Sequence, residues 1–143
     1  MLWRDSYAPR VLEGVAVPQS PVVRLDGHSL ALEGKAIIGA FSLKATSELG
    51  IWRRLFESAE WPSVTLLVSE KEDPRLLRAV TETFPKSIHE SVAITTDSNG
   101  EWRDLVEPDR PERAFALVGD RLIIGAPTED VWGELLNLRA SCE

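Results

Sequence analysis

Few side chains in this chain have the chemistry of a catalyst. Cys142 is the only cysteine and the penultimate residue, so no intramolecular disulfide can form and a disulfide-stabilised secreted fold is excluded. It could serve as a reactive thiol, a thioester carrier or an intermolecular disulfide partner, but a tail cysteine without a role is the simpler reading. A Ser-His-Asp arrangement would have to join Ser47 to His28 or His89, and no G-x-S-x-G motif accompanies them. His28 falls in or beside a hairpin turn and His89 in a loop, both solvated surface. Two histidines and a terminal cysteine offer no metal-ligand spacing, so no metal and no cofactor is expected. Asp97-Ser98-Asn99-Gly100-Glu101 lacks the twelve-residue ligand pattern of a calcium loop and reads as a turn. Glycine-rich phosphate loops are absent, and no residue is assigned a catalytic role.

Composition narrows the classes further. The 143 residues suffice for one domain with a proper core. With 43% hydrophobic and 27% charged residues the chain is of ordinary globular type. Its net charge of −7, from 23 acidic and 16 basic residues without a long basic run, argues against a nucleic-acid partner. No apolar run is long enough for a membrane span and no signal peptide is visible, so a cytoplasmic location is expected. Five tryptophans are a rich supply, and most are expected as core or half-buried packing. The pair Arg53-Arg54, beside Trp52 and Trp61, is a candidate contact patch, with a plain helix surface as the favoured reading.

The elements that would position any site follow from periodicity. An N-terminal arm, residues 1–20, has scattered apolar residues and two prolines and lies on the domain or docks elsewhere. Pro21 to Leu25 and Ser29 to Leu32 read as strands joined at Asp26-Gly27. Ala36 to Phe41 is a central strand buried on both faces. Leu49, Trp52, Leu55 and Phe56 then make one side of a helix starting near Thr46 or Ser47, either of which would cap it, with Glu48 in the first turn. Ser63 to Ser69 is a second buried strand. Asp73-Pro74 opens a helix with Leu76, Leu77, Val80 and Phe84 as its apolar stripe. Val92 to Thr95 is a short strand, and residues 101–106 make one helical turn. Ala114 to Val118 and Leu122 to Ile124 form a hairpin, and Thr128 caps a last helix packing Val131, Leu135 and Leu138. Two strand-helix-strand units imply parallel neighbours, and the hairpin adds an antiparallel edge. The fold class is therefore α/β, with a domain over residues 21–139 and a tail over 140–143.

Pro21, Leu25, Asp26, Gly27, Leu32, Gly34 and Lys35 ahead of the central strand, with APTEDVWGELLNL after the late hairpin, resemble the thioredoxin-like superfamily. Within it they are similar to the redoxin branch that includes TlpA-type and MauD-type proteins. The resemblance implies a three-layer sandwich, a mixed sheet with helices on both faces, here with an N-terminal hairpin extension. It also implies that the C-x-x-C pair would begin at Thr46 or Ser47 and end at Leu49 or Gly50, and none of these is cysteine. A thiol-disulfide oxidoreductase needs a low-pKa thiolate at this helix start. By the same resemblance Pro111 is the candidate for the family's cis-proline.

A fold signal without its reactive site points to a redox-inactive accessory protein that binds another protein, as a scaffold, maturation or stabilising subunit of an enzyme complex. MauD-type proteins imply the maturation role, although they carry cysteines and a membrane anchor. The expected partner surface is Lys44, Thr46, Ser47 and Glu48 together with Arg110, Pro111 and Glu112, with Trp3 and Tyr7 of the arm as a second candidate. Two alternatives stay open. One is a small enzyme using Cys142 or an unrecognised pocket. The other is a domain that forms a homodimer through an exposed sheet edge.

Overall fold

The computed structural model describes residues 9–19, 21–32, 34–71, 73–106 and 113–142, with only the backbone of residues 141 and 142. Among these residues seven strands form one sheet: β1 (Arg10–Leu12), β2 (Val22–Arg24), β3 (Ala36–Ala40), β4 (Ser63–Ser69), β5 (Val92–Thr96), β6 (Ala114–Val118) and β7 (Arg121–Ile124). The helices are α1 (Thr46–Ser58), α2 (Pro74–Thr83), α3 (Glu101–Val106) and α4 (Glu129–Cys142). The strand order is β1-β7-β6-β3-β4-β5-β2. β3, β4 and β5 are parallel, and every other pairing is antiparallel.

The centre is β3, whose five residues are all buried. A strand covered on both faces needs apolar side chains at every position, and AIIGA meets that need. Ala36, Ile38 and Ala40 join the cluster under α1, α2 and α4, with Leu49, Trp52, Phe56, Val80 and Leu135. On the opposite face Ile37 joins Val64, Leu66, Phe115, Leu117 and the α3 residues Trp102 and Val106. Gly39 sits where the Phe115 ring crosses the strand, and a Cβ there would overlap that ring. Leu12, Val15 and Val17 pack against this second cluster, so the described part of the N-terminal arm helps to cover this face. Asp97 accepts from the Trp102 and Arg103 amides, both at 3.0 Å, which makes the turn cluster an anchor for α3.

Several expectations need correction. The second strand of the early hairpin is one bridge, Val23 to Ser29, because Leu30 and Leu32 turn into the core beside Val22. Leu77 is 42% exposed: it sits about 100° round the helix from Leu76, off the stripe that Val80 continues. Leu138, also 42% exposed, gives way to Trp132 and Leu135 as the inward residues of α4. Trp52 is fully buried and cannot join Arg53 and Arg54 in a surface patch, while Trp61 and Trp132 are half-buried against Phe56.

Candidate functional site

The loop from β3 to α1 lies at the C-terminal end of the parallel strands. Ser42, in extended conformation, accepts the Lys44 amide at 3.1 Å and so caps a 3-10 turn over Leu43–Ala45. This turn runs straight into α1, whose N-cap is Ala45 and has no side-chain capping bond. The expected capping by Thr46 or Ser47 is therefore wrong. A capping side chain needs an extended backbone, and Thr46 already has helical φ −57° and ψ −33°. Lys44 and Ser47 are exposed, and Thr46 is half-buried.

Glu48 is in the first turn as expected, but it reaches across to the sheet. Its carboxylate accepts the Ala114 amide at 2.8 Å and pairs with the Arg113 guanidinium at 3.3 Å. The side chains of Arg113 and Glu48 are only 12% and 19% exposed, so water screens the pair weakly. Directly below, the Ala114 carbonyl accepts from the Gly125 amide at 2.6 Å, and the Gly125 carbonyl accepts the Trp52 indole N–H at 2.9 Å. Gly125 has φ +109°, and a Cβ there would overlap the Arg113 guanidinium. Helix α1, the start of β6 and the exit from β7 are thus laced together through polar groups.

Of the expected partner residues, Lys44, Thr46, Ser47 and Glu48 follow one another at this joint. Arg110, Pro111 and Glu112 lie outside the described residues, as do Trp3 and Tyr7. The described chain resumes at Arg113, which touches Glu48. Sequence reasoning missed Arg113 and Gly125, and the one available signal was a glycine closing the β7 strand pattern.

From Phe41 to Leu49 there is no cysteine, histidine or methionine. Among the described residues no three His, Cys, Asp or Glu cluster as metal ligands. No described helix is long and apolar enough to cross a membrane.

Several solved structures share this fold. BsSco, a member of the Sco family of cytochrome c oxidase assembly proteins, superposes with a TM-score of 0.59 at 13% identity, over 90% of this chain and 95% of its own. The thioredoxin domain of a thiol-disulfide oxidoreductase from Bacteroides vulgatus gives 0.54 at 13% identity, over 89% and 97%. The fold is thioredoxin-like. ScoI of Arabidopsis thaliana, solved with copper bound, gives 0.50 at 15% identity, over 85% and 96%. No protein-family model matches the chain, and no curated protein does. Thiolate, thioether and imidazole are the ligands suited to copper, and the thioredoxin-like loop here has none, so it does not fit that metal. A dithiol exchange step at this loop is closed for the same reason.

Proposed function

We propose that this chain is a redox-inactive thioredoxin-fold accessory protein that binds another protein, as a scaffold, maturation or stabilising subunit of an enzyme complex. One observation carries the reading: beside a loop without cysteine, Glu48 in the first turn of α1 spends its carboxylate on Ala114 and Arg113. The group nearest the fold's reactive position is thereby a joint between helix and sheet, and among the described residues there none is poised as nucleophile or acid. The exposed Lys44 and Ser47 remain at the surface, at the end of the sheet where Arg113 enters β6. The proposed partner surface is Lys44, Thr46, Ser47 and Glu48 with Arg110, Pro111 and Glu112. That BsSco is described among assembly proteins is in keeping with this role.

The test is site-specific photo-crosslinking of the full chain in its native source, with the crosslinker replacing Lys44 or, as a remote control, the exposed Lys86. A discrete protein captured from position 44 and not from 86, and lost on Ser47→Arg, is the expected result. Equal labelling from both positions would overturn the proposal. So would an insulin-disulfide reductase activity of the purified chain that Cys142→Ser removes, since that is the thiol-enzyme alternative.

A further inference from the structure

Two of the large apolar side chains left exposed, Val23 on β2 and Leu77 on α2, face a single cleft of about 670 Å3. They are 39% and 42% exposed because nothing of the described chain fills the space between the sheet edge and the helix. Val23 pairs with Ile94, and the half-buried Leu25, Leu76 and Ile94 extend the apolar lining inward to the main core. The size is that of a small-molecule site.

The polar groups of this cleft are unequally committed. Asp26 accepts the His28 amide at 3.0 Å and lies 3.4 Å from Arg24, and Asp73 accepts the Arg75 amide at 2.9 Å as the cap of α2. Both acids are thus engaged within the fold. Lys71 lines the same cleft, is exposed, and has no carboxylate partner among the described residues. Thr96 and Ser98 bring hydroxyls to the same lining, from the end of β5 and the turn beyond it. Arg75 and Arg78 are also exposed on α2, in a chain of net charge −7.

We propose that this cleft binds a small amphipathic anion of the medium-chain carboxylate class. The apolar body lies against Val23, Leu25, Leu77 and Ile94, and the carboxylate sits at Lys71 within reach of the Thr96 and Ser98 hydroxyls. An apolar chain alone would gain from the lining, but only a negative head group answers the Lys71 ammonium, which no carboxylate among the described residues pairs. This site is separate from the joint at Glu48.

The experiment is titration of the full chain with decanoate, followed by amide chemical shifts, with decanol and acetate in parallel. Decanoate should give saturable shifts at Val23, Leu77 and Ile94, and acetate none. Lys71→Gln should weaken decanoate by roughly three- to fivefold, the loss expected of one exposed charge contact, while leaving decanol unchanged. Leu77→Asp, at a position exposed enough to spare the fold, should weaken both by about tenfold or more. Absence of saturable decanoate shifts at millimolar concentration would overturn the proposal. Equal binding of decanoate and decanol with no effect of Lys71→Gln would overturn the anionic assignment. Shifts confined to another region of the surface would place any carboxylate site elsewhere.

Discussion

The Glu48 carboxylate accepts the Ala114 amide at 2.8 Å, which ties the first turn of α1 to the first residue of β6 across 66 positions of sequence. The Arg113 guanidinium closes the same carboxylate from the side. At the helix N-terminus the negative charge is also favoured by the helix dipole.

Glu48→Ala leaves the Ala114 amide without its acceptor and removes the partner of a mostly buried guanidinium. The expected cost is about 2–3 kcal/mol, read by chemical denaturation. Glu48→Gln keeps an acceptor for the amide and should cost about 1 kcal/mol. Equal losses for both variants would show that the charge pair alone sustains the joint.

Replacing Thr46 and Ser47 together by alanine should change stability by less than about 0.5 kcal/mol, because neither hydroxyl caps the helix. Ser42→Ala should cost about 1 kcal/mol, since Ser42 Oγ takes the Lys44 amide. Thermal unfolding of the two variants side by side distinguishes this ranking from its reverse.

Gly125→Ala should destabilise by about 2–3 kcal/mol. It imposes a left-handed φ on a residue with a Cβ and drives that Cβ into the Arg113 guanidinium. The Trp52 indole reports the damage directly: its bond to the Gly125 carbonyl should loosen, with a shift in Trp52 N–H resonance and faster hydrogen exchange. An unchanged indole resonance would refute the coupling.

The Asp26 carboxyl is held below the ordinary aspartate range, first by the His28 amide and then by the His28 side chain and Arg24. A depressed folded-state pKa adds stability that is present above the unfolded value and lost as pH falls through the folded one. The hairpin turn should therefore weaken from about pH 4 downward, and Asp26→Asn should flatten that dependence. Carboxyl NMR titration checks the direction. An Asp26 that titrates above an unstructured aspartate would contradict it.

Much of the sheet is legible from local pattern. The apolar run Ala36 to Phe41 reads as a doubly covered strand, of which Ala36–Ala40 form β3, and Asp73-Pro74 marks the start of α2 by its capping chemistry. Hydroxyl residues near a helix start are ambiguous, because capping depends on backbone angles that composition does not reveal. The sequence points to Thr46 or Ser47, and a 3-10 turn ahead of the helix gives the capping bond to Ser42 instead. The stripes of α2 and α4 mislead at Leu77 and Leu138, since periodicity marks an apolar side without saying where the sheet beneath it ends.

By itself the amino-acid sequence determines that this loop holds no cysteine, and hence that a dithiol cannot act there, because side-chain identity alone decides that chemistry. It also determines the alternation of strands and helices, through apolar periods set by backbone geometry. Only the tertiary structure decides that Glu48 meets Ala114 and Arg113, that Gly125 must stay open beneath them, and that Val23 and Leu77 share a cleft. Those relationships join residues far apart in the chain, and no local preference encodes a contact that exists only once the sheet has assembled.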